Sequence, residues 1–492
     1  MPKEHFSVLN STQLSVVPPG GSIHIIGVCG VAMAQLAVLL SEMGYSVSGS
    51  DKEFYEPMGS LLRSSKVKLF TGYASGNVPS RSDLVVIGNA ISYGHVEVGV
   101  VEELNLPYTF FPKILDETVI GGRKSIVVTG THGKSTTSAM IAALLYRLNY
   151  DPSYFIGGIA EDLPKSLHAG KGDFAVLEGD EYDSAFFAKV PKFAFYHPDV
   201  CVVNAIEYDH ADIYPDLESI NREFNKMIHQ IPKEGAAICC IDFDNLKNLI
   251  GQWKQSAACR IVTFGFSEGA DYRITARRQN GFQQTVTAKD PAGAEFRFTI
   301  KLPASYNALN ALATLIAAET VGVSRDVAAA GIAKFTRVKR RQEVKFESSR
   351  VVLIEDFAHH PTAVDQTIRA VREAYPQRRL RAVFEPRSNT SRRKIFQQDY
   401  VRAFGAADEA ILCNVASRAS DEGLELIDVA MLSGEISRSG VLSACLADAG
   451  AIETHLVSSL GPSDVIVVMS NGSFGGLVAS LQKSLKDLCN SK

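Results

Sequence analysis

The stretch Ile126-Val-Val-Thr-Gly-Thr-His-Gly-Lys-Ser-Thr-Thr137 decides the fold of this chain. Its apolar opening predicts a buried strand, and the residues from Lys134 onward predict a helix that ends near Tyr146. Between strand and helix, Gly130 and Gly133 allow the backbone to turn its N–H groups inward. A glycine-rich turn between a strand and a helix is typical of a phosphate-binding loop, so we expect an α/β domain around it.

The chemistry of the turn fits an anion. A helix N-terminus carries roughly +0.5 of an elementary charge, and Lys134 adds a full positive charge. The hydroxyl of Ser135 stands where phosphate-bound Mg²⁺ would find a ligand. Only Thr131 and His132 separate the two glycines, so the loop is two residues shorter than the common P-loop. The alternative is a strand-to-helix turn that contains Gly and Lys without binding phosphate.

Composition narrows the function classes. The chain has 492 residues, of which 46% are hydrophobic and 21% charged, so we expect two to four folded domains. A formal net charge of −4 gives no basic field for nucleic acid. The first twenty residues lack the apolar core of a secretory signal, and no apolar run is long enough to span a membrane. Eight scattered cysteines without CxxC spacing favour a reducing, cytoplasmic location.

A βαβ unit opens the chain. Ser22 to Gly27 predicts a strand, Val31 to Met43 a helix, and Tyr45 to Asp51 a second strand that ends in an acid. The turn after the first strand falls short of G-x-G-x-x-G, yet Asp51 stands about twenty residues on, where a ribose-binding acid is expected. Nucleotide binding and a plain βαβ unit both remain open. Further strands at 67–70 and 84–89 complete a doubly wound domain.

Two later strands end in acidic clusters. Phe174 to Glu178 runs into Gly-Asp-Glu-Tyr-Asp183, and Val200 to Val203 runs toward Glu207, Asp209 and His210. Ligands of α/β sheets gather at the carboxyl ends of strands, so these clusters predict a metal site beside the phosphate loop. The alternative is that the charges only begin solvated loops.

The spacing of apolar residues changes twice in the second half of the chain. Alternation from Asp271 to Leu302 predicts a small antiparallel sheet, and Ser305 to Ala318 predicts a helix with Asn307 and Asn310 on one face. From Val351 onward, strands at 351–356, 380–385, 409–415 and 464–469 alternate with helices, which predicts another parallel sheet. The fold class is therefore α/β, with three α/β domains in series.

The chain resembles the Mur ligases, which build the peptides of peptidoglycan. The resemblance is carried by the phosphate loop and by the segments Glu178-Gly-Asp-Glu181, Glu207-Tyr-Asp-His210 and Asp356-Phe-Ala-His-His-Pro361. Folylpolyglutamate synthetases share the loop. The resemblance implies a Rossmann-like UDP-binding domain (1–121), a central ATPase domain (122–342) and a Rossmann-like C-terminal domain (343–492), with closure on binding. It also implies ATP and Mg²⁺, with two ions, as cofactors. The Lys339-Arg-Arg341 run, otherwise a solvated charge run, would bring Arg340 or Arg341 to ATP, with Arg341 preferred.

The site residues implied by the resemblance fall into four sets. The catalytic set is Lys134, Glu178 and His210, and the metal ligands are Ser135, Glu178 and His210. The ATP set is Gly130, Thr131, His132, Gly133, Lys134, Ser135, Thr136, Asn307, Arg341 and Asp356. The UDP-sugar set is Gly27, Gly30, Ser50, Asp51, Asn89 and Ala90. The peptide set is Arg387, Ser388, Asn389 and Thr390.

Within the family, Glu181 to Phe187, Glu385 to Thr390 and Met469 to Gly476 resemble the branch that returns murein peptides to the cell wall. This branch implies ATP-dependent joining of L-alanyl-γ-D-glutamyl-meso-diaminopimelate to UDP-N-acetylmuramate. The expected partners are these small molecules, with no nucleic acid, no membrane insertion, and a monomer or weak homo-oligomer. Alternatives are the sister ligase that adds L-alanine, a folylpolyglutamate-type ligase, and a P-loop ATPase switch.

Overall fold

The computed structural model describes residues 5–415, 418, 421 and 423–490. The chain divides into two compact units. Unit 1 comprises Met1–Glu207, Leu217–Phe264 and Ala313–Ala328. Unit 2 comprises Tyr208–Asp216, Gly265–Leu312 and Ala329–Lys492.

The elements of the first half follow the predicted alternation of strand and helix. The strands are β1 (Ser22–Ile26), β2 (Ser46–Asp51), β3 (Lys68–Thr71), β4 (Leu84–Ile87), β5 (Tyr108–Phe110), β6 (Lys124–Thr129), β7 (Ser153–Phe155), β8 (Leu167–His168), β9 (Phe174–Glu178), β10 (Asp183–Ala185), β11 (Ala188–Pro191), β12 (Val200–Val203), β13 (Ala236–Cys240) and β14 (Arg260–Gly265). The helices are α1 (Val31–Glu42), α2 (Met58–Arg63), α3 (Val96–Glu103), α4 (Phe111–Leu115), α5 (Lys134–Arg147), α6 (Leu217–Gln230) and α7 (Asp244–Ser256).

The second half contains an antiparallel sheet and further α/β units. Its strands are β15 (Tyr272–Asn280), β16 (Gln283–Lys289), β17 (Glu295–Ile300), β18 (Glu343–Glu347), β19 (Val351–Asp356), β20 (Arg379–Phe384), β21 (Glu409–Cys413), β22 (Leu442–Leu446) and β23 (Asp464–Met469). Its helices are α8 (Ser305–Thr320), α9 (Arg325–Ile332), α10 (Pro361–Ala374), α11 (Gln397–Ala403), α12 (Val429–Arg438), α13 (Ala449–Ser458) and α14 (Leu477–Asn490).

Unit 1 holds two sheets whose strand ends carry the predicted site residues. The first is parallel, in the order β3-β2-β1-β4-β5, which confirms the βαβ opening. In the second, β6 lies between β12 and β9, with all three parallel. The phosphate loop therefore leaves the middle of this sheet, and the acidic ends of β9 and β12 flank it.

A short hairpin connects the two sheets of unit 1. Strands β10 and β11 pair antiparallel, and Phe186 and Phe187 form the tip between them. The ring of Phe187 lies 5.4 Å from that of Tyr108, and the ring of Phe186 lies 5.9 Å from that of Tyr93, measured between centroids. Because the hairpin begins two residues after Glu181, these aromatic contacts fix the acidic loop against the first sheet.

The large sheet of unit 2 is buried on both faces. In β19, Val352 and Ile354 pack with α10, α11 and α12, while Val351 and Leu353 pack with α13 and α14. This alternation follows from the period of two along a strand, and it explains why the strand is apolar throughout. The strand order is β18-β19-β23-β20-β21-β22.

The four predicted strands β19, β20, β21 and β23 pair in parallel, as expected, but the sheet has a further strand at one edge. Strand β18 pairs antiparallel with β19, so the sheet is mixed. The sequence Glu343-Val-Lys-Phe-Glu347 alternates charged and apolar residues, as a half-buried edge strand does. We did not predict this strand, because the apolar run of β19 that follows is the stronger signal. The predicted antiparallel pairing of β15, β16 and β17 is confirmed, and these strands belong to a ten-stranded sheet. Among the described residues, no helix is long and apolar enough to cross a membrane.

Candidate functional site

The phosphate loop has the backbone that its glycines predict. Gly130 adopts φ +111° and Gly133 φ +78°, both in the left-handed region. A Cβ at position 130 would lie 2.5 Å from the carbonyl oxygen of Ala205, so only glycine fits. The next residue, Thr131, donates its N–H to the same carbonyl at 2.8 Å. The end of β12 thus holds the loop, a role for Ala205 that the sequence did not indicate.

Lys134 reaches back across the loop. Its ammonium group donates to the Gly130 carbonyl at 2.8 Å and to the carboxylate of Glu181 at 2.7 Å. Burial by itself lowers the pKa of Lys134, but the carboxylates of Glu181, Asp180 and Glu178 outweigh it and raise the pKa. The lysine is therefore charged at neutral pH. The positive charge of Lys134, which is paired with Glu181, therefore lies at the loop where phosphate is expected to bind.

A hydroxyl and a carboxylate meet behind the loop. Ser135 donates to Glu178 at 2.8 Å, and the second carboxylate oxygen accepts the Gly157 N–H at 2.6 Å. Both side chains are buried, with 6% and 8% of their residue surface exposed. Carboxylate and hydroxyl oxygens are hard ligands of the kind Mg²⁺ prefers. The donor set therefore fits a magnesium ion bound together with phosphate.

Further contacts fasten the loop to the segment after β12. His132 Nε2 lies 2.6 Å from a carboxylate oxygen of Glu207, and Glu207 donates its own N–H to Thr131 at 2.8 Å. The side-chain amide of Asn204 donates to Thr137 at 3.1 Å. These contacts bring together the predicted ATP residues of the loop and the first acid after β12.

The turn after β1 is closed by two residues of the predicted UDP-sugar set. Gly27 adopts φ +80° and donates its N–H to the Ser50 carbonyl at 2.9 Å. The carboxylate of Asp51 accepts the Cys29 N–H at 2.7 Å and the Tyr73 hydroxyl at 3.2 Å. Asp51 therefore supports the turn, and its contact with a ribose stays a prediction. Helix α1 begins directly after Gly30.

Ser50 faces a buried polar cluster. Its hydroxyl donates to Glu97, which is fully buried and also accepts the Asn77 side-chain amide at 2.8 Å. His24 lies beside them, with Nδ1 2.9 Å from the Ser48 hydroxyl. Burial lowers the pKa of His24 to about 4. The predicted residues Asn89 and Ala90 follow β4 at the carboxyl edge of the same sheet.

In unit 2, His210 lies in the segment Tyr208–Asp216, which is hydrogen-bonded to His360, Asn389 and Arg393. Its backbone adopts φ +55°, which is uncommon outside glycine. Burial tends to raise the pKa of neighbouring Asp209, but His210, His359 and His360 and a hydrogen bond from Thr390 outweigh it, so the pKa lies well below its ordinary value. Asp209 is therefore an anion at the centre of three histidines.

The four predicted peptide residues have different surroundings. Asn389 donates to Asp212 at 2.9 Å, and Thr390 accepts the Ala211 N–H at 3.4 Å. The Ser388 hydroxyl accepts the backbone N–H of Ser391 at 2.9 Å. Arg387 is exposed and lies across the backbone of the loop after β23. Three of the four thus support the local loops, while Arg387 and Asn389 are both exposed to solvent.

The remaining predicted ATP residues surround the start of α8 and the linker before β18. Asn307 donates to the Pro303 carbonyl at 2.7 Å and accepts from Asn310 at 3.2 Å. Asp356 accepts the Gln342 N–H at 2.8 Å. Burial raises the Asp356 pKa, although Arg341 opposes this shift. The guanidinium of Arg341 lies 4.8 Å from the centre of the Phe357 ring.

The structure thus brings Lys134, Ser135 and Glu178 together within unit 1 and places His210, Asn307, Arg341 and Asp356 in unit 2. Participation of the second set in an ATP site stays a prediction. Sequence reasoning assigned no role to Glu181 and did not consider Gly157. Glu181 stood in a recognised acidic cluster, whereas Gly157 left no signal because its contribution is a backbone N–H from a distant loop.

Comparison with known proteins gives the family. Models of the Mur ligase family match in three places: the "Mur ligase family, catalytic domain" at residues 22–121, the "Mur ligase middle domain" at 128–318, and the "Mur ligase, glutamate ligase domain" at 340–472. The chain is 34% identical over 469 residues to the UDP-N-acetylmuramate–L-alanyl-γ-D-glutamyl-meso-2,6-diaminoheptandioate ligase of Escherichia coli K12, covering 94% of this chain and 98% of the relative.

Two further similarities support this assignment. The UDP-N-acetylmuramate–L-alanine ligase of Geotalea uraniireducens is 32% identical over 465 residues, covering 94% of this chain and 98% of the relative. The crystal structure of a murein peptide ligase from Psychrobacter arcticus superposes with a TM-score of 0.70 at 31% identity, covering 95% of this chain and 99% of that one. Members of the family use ATP and generally Mg²⁺. The chain belongs to the Mur ligase family and is an ATP-dependent ligase that forms a carbon–nitrogen bond.

Proposed function

We propose that this ligase joins the tripeptide L-alanyl-γ-D-glutamyl-meso-diaminopimelate to UDP-N-acetylmuramate, for the recycling of peptidoglycan. The observation that carries the proposal is the similarity along 94% of the chain to the ligase of that name from Escherichia coli. The loop geometry agrees with it, because Lys134 and the loop amides face the place where ATP phosphates would bind. The proposed location of the reaction is the cytoplasm, and the proposed assembly is a monomer or weak homo-oligomer.

The chemistry requires a carboxylate to attack a phosphate. Like-charge repulsion between one such pair is about 4 kcal/mol at about 4 Å and an effective dielectric near 20, which corresponds to roughly a thousandfold in rate. Lys134 and the N–H groups of the loop offset this repulsion by presenting positive charge to the phosphate oxygens. The lactyl carboxylate of the sugar would attack the γ-phosphorus of ATP, which forms an acyl phosphate and releases ADP. The peptide amine would then attack the acyl carbon, and loss of phosphate and a proton would leave the amide.

Ser135 and Glu178 are the proposed ligands of one Mg²⁺, and His210 is proposed for a second. A bound magnesium ion supplies positive charge that stabilises phosphate oxygens in the transition state. Glu178→Gln should raise the Mg²⁺ concentration that gives the half-maximal rate, because it removes a charged ligand while keeping the shape. A magnesium titration indistinguishable from that of the unchanged protein would remove Glu178 from the ligand set.

Three substrates are assigned to three proposed domains. Residues 1–121 would bind the UDP sugar, 122–342 ATP, and 343–492 the incoming peptide. The turn formed by Gly27 and Gly30 and the strand ends at Ser50, Asp51, Asn89 and Ala90 are proposed for the sugar nucleotide. The position of Arg387 at the carboxyl end of β20 supports a role in binding a peptide carboxylate.

The second candidate is a ligase that adds free L-alanine to the same sugar. It is favoured by the 32% identity to the ligase of that name from Geotalea uraniireducens. L-Alanine has one carboxylate, whereas the tripeptide has additional carboxylates far from its reacting amine. An exposed arginine after β20, which could bind one of those additional carboxylates, therefore favours the tripeptide.

The two candidates can be separated by phosphate release. Purified protein is mixed with ATP, Mg²⁺ and UDP-N-acetylmuramate, and either tripeptide or L-alanine is added at equal concentration. We expect phosphate release and a UDP-linked tripeptide, identified by its mass, with the first amine only. Efficient turnover of L-alanine and none of the tripeptide would overturn the proposal in favour of the second candidate.

A further inference from the structure

Two adjacent arginines precede β18, and their side chains have different surroundings. Both guanidinium groups lie near the Phe357 ring, with Cζ 5.2 Å from its centre for Arg340 and 4.8 Å for Arg341, and Arg341 also acts electrostatically on Asp356. Arg340 instead turns toward the loop after β23, and its backbone adopts φ +59° in the left-handed region. This strained backbone is held at both sides, since the Arg340 N–H donates to Glu343 at 2.8 Å and its carbonyl accepts the Phe357 N–H at 2.9 Å.

The guanidinium of Arg340 holds backbone carbonyls of that loop. One terminal nitrogen donates to the carbonyls of Ser470, at 3.0 Å, and Gly472. Its Nε donates to Glu355 at 2.8 Å, which fixes the plane of the group. A planar guanidinium can satisfy an acid and two carbonyls in fixed directions, whereas a lysine ammonium is a point charge on a flexible stem.

The loop is also fastened from the other side. Ser470 donates its N–H to the Asp356 carbonyl at 3.1 Å and its hydroxyl to Glu385 at 2.5 Å. The same hydroxyl accepts the Gly472 N–H at 2.9 Å. The ends of β19, β20 and β23 therefore share one hydrogen-bonded platform, which we define as the backbone of Ser470, Asn471 and Gly472.

Arg387 lies directly on this platform. A Cβ added at Gly472 would lie 2.1 Å from Arg387 Nη1 and 2.4 Å from its Cζ, so the guanidinium occupies the space that any side chain at 472 would need. Gly472 does not adopt a positive φ. A side chain at position 472 would therefore have to displace the Arg387 guanidinium, and the constraint comes from this contact and not from backbone conformation.

We infer that Arg340 and Gly472 are positioning residues for peptide recognition. Arg340 holds the platform by donating to its carbonyls, and Gly472 leaves the space above the platform to Arg387. Arg387 is then placed to bind a carboxylate of the amine substrate. The inference rests on the proposed function. An exposed arginine must lose rotamer freedom when it binds a carboxylate, and a side chain already held on a platform loses less. The platform thus preorganises the arginine without touching the substrate itself.

The test measures initial rates of phosphate release for Gly472→Ala and Arg340→Lys while the concentrations of tripeptide, ATP and UDP-N-acetylmuramate are varied in turn. We expect the KM for tripeptide to rise roughly 10- to 100-fold, as for other small displacements of a positioning group. The KM values for the other two substrates should change by less than about twofold. Gly434→Ala is the matched control, because position 434 has an ordinary helical backbone and its nearest neighbour lies 3.8 Å from an added Cβ.

A second measurement separates positioning from a general structural defect. In an Arg387→Ala background, Gly472→Ala should add almost nothing to the KM for tripeptide, because the side chain that it displaces is absent. The same full loss in both backgrounds, or equal losses toward all three substrates, would overturn the inference. Failure of the unchanged protein to use tripeptide would instead overturn the proposed function on which it rests.

Discussion

Arginine side chains have opposite surroundings at the two edges of the large sheet in unit 2. At the amino edge, Arg381 is fully buried and bonds Glu409 at 2.7 Å, the Leu456 carbonyl at 3.2 Å and the Ser459 hydroxyl at 2.7 Å. At the carboxyl edge, Arg387 is exposed and rests on backbone. Both arginines belong to the β20 region and lie six positions apart.

The difference shows how one sheet separates stability from function. The amino-edge charges are matched with one another inside the protein, so they are expected to matter for folding. The carboxyl-edge groups hold loops in place and keep one cation accessible, as expected where α/β sheets bind ligands. The sheet around β6 in unit 1 follows the same rule, because Lys134, Ser135 and Glu178 all lie at its carboxyl edge.

The largest effect is expected at the carboxyl edge of unit 1. Lys134→Ala should reduce ATP-dependent phosphate release by roughly a thousandfold or more, because it removes the charge that offsets phosphate repulsion. Lys189→Ala is the control, since that lysine is 66% exposed. Urea unfolding of Lys134→Ala, alone and with Glu181→Gln, checks that the fold survives the loss of the buried pair. Near-normal phosphate release would show that the loop assignment is wrong.

At the amino edge of unit 2, a change should cost stability and leave recognition intact. Arg381→Met is expected to lower the free energy of unfolding by about 3–5 kcal/mol, because buried Asp464 loses a charged partner and Glu409 keeps only Arg379 and His455. Arg379→Met removes a second partner of Glu409 whose side chain is 36% exposed, and should cost about 0–1 kcal/mol. Equal urea midpoints for the two variants would contradict the contrast between buried and exposed cations.

At the carboxyl edge of the same sheet, Arg387→Ala should have the reverse effect. We expect a loss of about 2–4 kcal/mol in tripeptide recognition, the usual range for removing one partner of a buried charge pair. Stability and the KM values for ATP and UDP-N-acetylmuramate should change little. Lys394→Ala is the control, because that side chain is 60% exposed. An unchanged KM for tripeptide in steady-state assays would mean that the peptide loop lies elsewhere.

The smallest effect is expected for His24, which lies in β1, the central strand of the first sheet. Burial lowers the pKa of His24 to about 4 in the folded protein, against 6.5 in the unfolded chain. As the pH falls, the unfolded state therefore binds a proton before the folded state does, and the folded state becomes less stable. This residue should therefore remove about 1 kcal/mol of stability between pH 7.5 and pH 5.5. His24→Gln should flatten the measured dependence on pH by that amount, whereas exposed His229→Gln should not. The same slope in both variants would contradict the assignment.

The elements that the sequence predicted well are those with strong local signals. The run from Ile126 to Tyr146, the βαβ opening and the strand from Asp464 to Met469 have apolar periods and turn residues that need no distant partner. The edge strand from Glu343 to Glu347 was missed because its alternating charges resemble a loop until β19 lies beside it.

By itself, the sequence determined three α/β segments, the phosphate loop and the family, because glycine spacing, apolar period and acidic strand ends are local properties of the chain. Only the tertiary structure decided which side chains meet. Glu181 pairs with Lys134 across 47 positions, and Arg340 reaches Gly472 across 132. Such contacts depend on strand order and loop paths, which fix distances in space that sequence separation does not record. For this reason the contacts of the adjacent residues Arg340 and Arg341 could be told apart only when the fold was known.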